Sequence, residues 1–288
     1  MQPSQPAATL FVPDGLEPAA ALGRTTHLGV GAHPDDLEFM TWHGILECYR
    51  NPDRWFCGVV VTDGARSPRA EGFAGLSDEQ MRKVRESEQR EAATIGDYGA
   101  LAMLGFSSAA IRPRSLELDR DLDQLLAATR PEVVYTHNPA DKHETHVAVC
   151  LHVLRALRRM PVEQRPRAVF GCEVWRGLDW MRDDEDKRVF DVGGREVLFE
   201  KLMGVFESQI AGGKRYDLAT LGRRRANATY QQPRETDSAS LAELAMDLTP
   251  LVTDPSLSVR DHVLGLIARF RDEVSERLGA LEAGAREE

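Results

Sequence analysis

Five short apolar runs, separated by amphipathic stretches, constrain this chain more than any other feature. They are "THLGVGAH" (26–33), "WFCGVVVTDG" (55–64), "ALAMLGF" (100–106), "EVVYTH" (132–137) and "RAVFGCEVW" (167–175). Runs this short and this continuously apolar read as strands covered on both faces. Helical patterns fill the intervals, at roughly 37–50, 78–97, 116–130, 145–160 and 196–210. Repeated strand–helix–strand units imply parallel pairing with right-handed crossovers and helices on both faces. The expected fold is therefore α/β: a Rossmann-like three-layer fold with a mostly parallel central sheet. After about residue 176 the pattern changes. "RGLDWMRDDEDKRVFDVGG" reads as irregular or as a small antiparallel excursion, "QQPRETDSAS" as a loop, and a last helix is expected near 257–280. One domain over 26–288 follows, with a core of about 26–210 and a helical C-terminal extension, 211–288. Residues 1–25 form an arm, either extended over the domain or disordered.

The charge balance of the 288 residues, 36 basic against 46 acidic, gives a net −10. A nucleic-acid binder needs a basic face, so that class is disfavoured. Cys48, Cys57, Cys150 and Cys172 are widely spaced without a C-x-x-C pair, which reads as buried free thiols in a reducing compartment. No apolar run approaches the roughly 18 residues of a membrane span. The N-terminus lacks the basic start and apolar block of a signal peptide, so a cytoplasmic location is expected.

Two segments carry chemistry. "GVGAHPDDLEF" (29–39) leaves the first strand and at once presents His33, Pro34, Asp35 and Asp36. Adjacent carboxylates repel unless a cation or proton sits between them. An aspartate capping the following helix explains one of the two, but not the histidine beside them. "THNPADKHETHVAVCLHVL" (136–154) follows the fourth strand. Asp141 and Glu144 have the form of a capping box, and His143 and His146 are three apart on one helix face. His33, Asp36 and His146 together make a two-histidine, one-carboxylate set. Catalytic zinc uses three protein ligands and an open position, and iron(II) accepts the same donors. Ligands in an open parallel sheet bind beyond the carboxyl ends of the strands, where both segments lie.

"AHPDD" after the first strand, with a later H-x-x-H pair, resembles the PIG-L/LmbE-like family of zinc-dependent N-acetylglucosaminyl deacetylases. "VVVTDG" (59–64), "VRESEQREAATIGDYGALAMLGF" (84–106) and "KLMGVFESQ" (201–209) add weaker similarity. The resemblance implies a deacetylase that removes an acyl group from an amino-sugar conjugate, with one Zn2+ per chain held by His33, Asp36 and His146. It implies Asp35 as general base, and His143 as the group that stabilises the oxyanion or protonates the leaving amine. The family often reads H-P-D-H, whereas this chain has His143-Glu144-Thr145-His146, so the aspartate that would steady His143 is replaced by Thr145. Asp141 and Glu144 are the candidate substitutes. The partner implied is a small N-acetylated sugar conjugate; some relatives form homo-oligomers.

Other residues carry both a functional and an ordinary reading. Asp63 and Arg66 follow the second strand and suit sugar hydroxyls or a substrate anion as well as a solvated loop. His137, ending the fourth strand, suits the pocket wall. Arg85 and Glu88 resemble the family's R-x-x-E and also match a helix salt pair at i, i+3. Trp175 and Trp180 suit a wall against a sugar or core packing, and the arginines of "LGRRRANATY" an anion site or a solvated helix face. Rival functions are an amidase on a thiol-sugar or another N-acyl compound, and a non-catalytic sugar- or metal-binding module. A dinucleotide site is disfavoured because histidine and proline replace the glycine that G-x-G-x-x-G requires.

Overall fold

A computed structural model describes residues 2–112, 114–184 and 186–284. Eight strands form one sheet: β1 (Thr9–Phe11), β2 (His27–Gly31), β3 (Phe56–Thr62), β4 (Ala100–Phe106), β5 (Val133–His137), β6 (Ala168–Cys172), β7 (Lys187–Asp191) and β8 (Ala242–Asp247). Their spatial order is β1-β4-β3-β2-β5-β6-β8-β7. The five central strands, β4 to β6, run parallel. These are the five apolar runs, and β2, β3 and β5 are buried along their whole length. Helices cover both faces as expected. Leu118, Leu122, Val149 and Val153, from Leu116–Thr129 and Glu144–Arg159, pack on one side. Trp42, Ile45, Ala92 and Phe199 pack on the other. Each leucine, valine, isoleucine or phenylalanine among them contributes about 1.5–3 kcal/mol on full burial.

The edges of the sheet differ from the sequence reading. Part of the N-terminal arm is a strand: β1 pairs antiparallel with β4. β7 is the expected antiparallel excursion, and it pairs with β8, which sequence reasoning missed. "AELAMD" has helix-favouring composition with acids at two positions. It sits in the sheet because Glu243 accepts the His43 backbone N–H at 2.8 Å and Asp247 accepts Arg188 at 2.7 Å. Tertiary partners override local preference here. The expected helix at 37–50 is broken at Thr41 into Asp36–Met40 and Trp42–Cys48, where the Thr41 hydroxyl donates to the Leu37 carbonyl.

Strand order places the functional segments. β2 lies between β3 and β5, so the chain winds outward from β2 in both directions. The connections after β2 and β5 therefore diverge and leave a crevice at the carboxyl ends of those two strands. Thr136, near the end of β5, donates its hydroxyl to the Val30 carbonyl of β2 at 3.1 Å and ties the two rims together.

Candidate metal centre

The turn after β2 is closed by its own polar groups. The His33 backbone N–H donates to Asp36 Oδ2 at 2.7 Å, and the Asp36 N–H to the His33 carbonyl at 3.2 Å. Asp35, between them, has φ +99°, a region that L-residues rarely occupy. Surrounding groups hold it there: its N–H donates to Gln89 Oε1 at 2.9 Å, and Arg85 donates to the Pro34 carbonyl and, at 2.7 Å, to Asp35 Oδ2. Asp35 occupies the cap position of Asp36–Met40 without any side-chain capping bond, so helix capping does not account for its carboxylate. Strain supported by neighbours in this way is common at functional sites.

Arg85 is 1% exposed and lies on the helix Asp78–Ile95. It does pair with Glu88, at 2.7 Å, as the helix-pair reading expected. The same guanidinium also carries Asp35, and Glu88 is fixed in turn by the N–H and hydroxyl of Ser208, both at 2.8 Å. The weakly similar stretches 84–106 and 201–209 thus converge on one buried network behind Asp35.

The segment after β5 departs from the capping-box reading. The helix Glu144–Arg159 has His143 as its N-cap, the ring Nδ1 accepting the Thr145 N–H at 3.2 Å. Asp141 lies outside the helix, where it accepts the His143 N–H at 2.9 Å and the Trp175 N–H at 3.1 Å. Its Oδ2 faces His146 Nδ1 at 3.6 Å. Glu144 projects outward to Arg112, at 3.6 Å. Asp141 therefore backs His146 rather than the ring of His143, and a backbone N–H orients His143 instead.

His33, Asp36 and His146 meet across the crevice. His33 Nδ1 is 3.2 Å from both Asp36 Oδ2 and His146 Nε2, and the last two atoms are 3.4 Å apart. Donors about 2.0–2.1 Å from a tetrahedral ion stand roughly 3.3 Å from one another, so the triangle has the size such an ion needs. The charges also suit it. Burial alone would raise the Asp36 pKa, but His146 and His137 hold it well below the usual carboxylate range, so it is ionised. Burial pushes the His146 pKa down to about 4, which leaves a neutral imidazole. Its Nδ1 has no hydrogen-bond partner and faces Asp141, so the proton belongs on Nδ1 and the Nε2 lone pair points into the triangle.

Two neighbouring donor sets share His146: one adds His143 to His33 and His146, the other adds His137 to Asp36 and His146. Hydrogen bonding separates them from the first set. His137 Nε2 already accepts the Ala32 N–H at 2.9 Å, which uses its lone pair. His143 accepts at Nδ1, so its Nε2 carries hydrogen and is a donor. Its pKa is lowered, by burial first and then by His33, which keeps that neutral form at neutral pH.

The remaining candidates fall elsewhere. His137 is fully buried and stacked on His146, ring centroids 3.9 Å apart, so it supports the site from beneath rather than lining a pocket. Asp63 accepts the Ala65 N–H at 3.0 Å in its own loop. Arg66 is exposed and makes no hydrogen bond or ion pair among the described residues. Trp175 lies 6.4 Å from the His143 ring and 6.1 Å from Tyr216. These aromatics, with Phe39, Lys214 and Arg223, line a cleft of about 250 Å³ beside the centre. Trp180 is partly buried against the core. Arg224, of the arginine run, is buried and donates to the carbonyls of Glu38 and Phe39, contrary to a solvated helix face. The four cysteines are free and buried, as expected. Among the described residues no helix is long and apolar enough to cross a membrane.

None of the curated proteins matches the chain. Solved structures share its fold. The 4-carboxy-2-hydroxymuconate hydratase GalB of Pseudomonas putida KT2440 is 15% identical over 81% of this chain and 100% of its own, with a TM-score of 0.61. The N,N'-diacetylchitobiose deacetylase of Pyrococcus horikoshii, complexed with its inhibitor MPG, is 16% identical over 80% and 86%, TM-score 0.60. A zinc-inhibited form of the teicoplanin deacetylase Orf2 is 15% identical over 77% and 97%, TM-score 0.57. Residues 28–157 match the family described as PIG-L, GlcNAc-PI de-N-acetylase. That span contains β2 to β5 and all of His33, Asp35, Asp36, His143 and His146, so the match to the PIG-L family covers the part of the chain that builds the candidate metal centre.

Proposed function

We propose that this protein is a zinc-dependent N-deacetylase acting on an N-acetylated amino-sugar conjugate. The convergence of His33, Asp36 and His146 on one triangle carries the reading. The PIG-L match and the two deacetylases of like fold support hydrolysis of an N-acyl group. The fold also serves a hydratase, so the reaction rests on the family match and the donor set, not on architecture.

Zinc held by these three side chains would polarise the substrate carbonyl and lower the pKa of water to about 7. The chain's own groups do the rest. Asp35, next to a ligand yet directed toward Arg85, takes a proton from the attacking water as the carbonyl carbon becomes tetrahedral. His143 donates its Nε2 hydrogen to the developing oxyanion; losing one such donor typically costs about 10²–10³ in rate. A neutral imidazole oriented this way is a poor acid. Asp35 therefore returns its proton to the amine nitrogen as the C–N bond breaks, giving acetate and the free amine. Trp175 and Tyr216 give the adjoining cleft the flat apolar surface that the C–H face of a sugar ring packs against.

The test is acetate release from N-acetylglucosamine conjugates by zinc-loaded protein, with Asp35→Asn beside it. The variant is expected to keep its zinc and lose about 10²–10⁴ in rate. An Asp35→Asn variant at full rate contradicts the base assignment, and no acetate release from any conjugate contradicts the substrate class.

A further inference from the structure

The helix Tyr216–Thr229 turns one face toward two adjoining cavities. Tyr216, Thr220 and Arg223 border the cleft beside the metal centre. Arg223, Asn227 and Tyr230 border a second cavity, of about 490 Å³. The steps between these five residues are 4-3-4-3, which keeps them on one side of the helix. At 1.5 Å per residue they span about 21 Å, a length that a single sugar ring does not fill. The second cavity is built entirely from residues beyond the 28–157 family match.

Two residues, Glu173 and Arg223, border both cavities. Glu173 is fixed: it is 5% exposed and accepts the Leu178 N–H at 2.6 Å and Asn227 Nδ2 at 2.9 Å. Among the described residues Arg223 donates only to the Val174 carbonyl, which uses one of its five N–H groups. A ligand reaching from the metal centre into the second cavity passes the rest. The second cavity then offers unused groups of both kinds. Lys187 is 8% exposed, and its ammonium donates to the Met181 carbonyl at 2.8 Å and to Asp183 at 2.5 Å, leaving one hydrogen. Asp179 and the Tyr230 hydroxyl have no hydrogen-bond partner among the described residues, and Tyr230 is 82% exposed. Interleaved donors and acceptors suit hydroxyl groups, each of which does both. They do not suit the alternatives. An acyl chain would meet only Ala226 and Leu244 as aliphatic walls, and an anion would face Asp179 and Asp183.

We infer that the second cavity is a distal glycan subsite, so that the substrate is a neutral oligosaccharide lying along the helix face with its N-acetylated end at the metal centre. This rests on the deacetylase reading above. The test is isothermal titration calorimetry of zinc-loaded Asp35→Asn protein with N-acetylglucosamine and its β-1,4-linked dimer, trimer and tetramer. Kd is expected to fall by at least about tenfold from monomer to tetramer, the gain from one or two net hydrogen bonds. Adding Asp179→Ala and Tyr230→Ala, two exposed side chains that hold no other part of the fold, is expected to erase that gain and leave the monomer's Kd unchanged. Equal Kd at all lengths overturns the subsite, as does a gain that survives the two alanines. Tighter binding of an octyl N-acetylglucosaminide than of the tetramer assigns the cavity to a lipid tail and also overturns it. Wild-type protein separates the two readings. Tetramer preference without acetate release contradicts the reaction and leaves the subsite standing; acetate release without length preference does the reverse. Binding of no oligomer overturns both.

Discussion

Replacing Arg85 with methionine tests whether the guanidinium both stabilises the fold and holds Asp35 in its working state. Methionine fills much of the arginine stem but donates nothing. Arg85 is 1% exposed and donates to Asp35 and Glu88, each at 2.7 Å, to Ser208 at 3.3 Å, and to the Pro34 carbonyl. The variant leaves two buried carboxylates without their cation, a loss of about 3–5 kcal/mol when one partner of a buried pair is removed. Unfolding entropy near 2.1 cal/mol/K per residue gives about 0.6 kcal/mol/K for the 288-residue chain, so Tm falls by about 5–8 °C. The chemistry moves as well. Burial already raises the Asp35 pKa and Arg85 opposes that rise. Without the cation the pKa climbs by about 1–3 further units. Because the base must be ionised, the acid limb of the pH–rate profile moves to higher pH by the same amount. Arg85→Lys keeps the charge but not the fork, and should fall between wild type and Arg85→Met in both assays. Differential scanning calorimetry and acetate-release profiles measure the two effects. An Arg85→Met protein with wild-type Tm and an unmoved acid limb refutes the reasoning.

Asp141→Asn removes the charge facing His146 Nδ1 and should weaken zinc binding about 10–100-fold in a competitive chelator titration. Trp175→Ala should raise KM for a sugar conjugate while leaving kcat within a few-fold, since the ring lines the cleft without reaching the reacting atoms. His27, 3% exposed, has its pKa lowered to about 4 by burial, whereas the unfolded chain protonates near 6.5. Its contribution to stability is present above pH 6.5 and is lost as pH falls toward 4. Denaturant unfolding of His27→Phe should therefore show a pH dependence over that window smaller by on the order of 3 kcal/mol.

The centre of the fold was legible because burial on both faces leaves a periodic mark: β2 to β6 coincide with the five apolar runs. β8 was not, because Glu243 and Asp247 make "AELAMD" look exposed, and only their partners in space explain them. The meeting of His33, Asp36 and His146 at the candidate centre was legible, since donor types and strand ends are visible in one dimension. The support around it was not. Asp141 has the sequence signature of a helix cap, yet it stands outside the helix and faces His146. His137 ends a strand like a pocket residue, yet its Nε2 is consumed by the Ala32 N–H. Arg85 gave a sign through its i, i+3 neighbour Glu88 and the weakly similar stretch around it, but its contact with Asp35 spans 50 residues of sequence. Tyr216 gave no sequence sign; its place beside Trp175 depends on how the C-terminal segment folds back over the crevice.

The most direct measurement is an anomalous difference map from zinc-soaked crystals, collected on both sides of the zinc absorption edge. One peak is expected about 2.0–2.2 Å from His33 Nδ1, Asp36 Oδ2 and His146 Nε2, and from none of the other histidines. A peak bonded to His137 or His143 in place of one of those three, or no peak between β2 and β5, would contradict it.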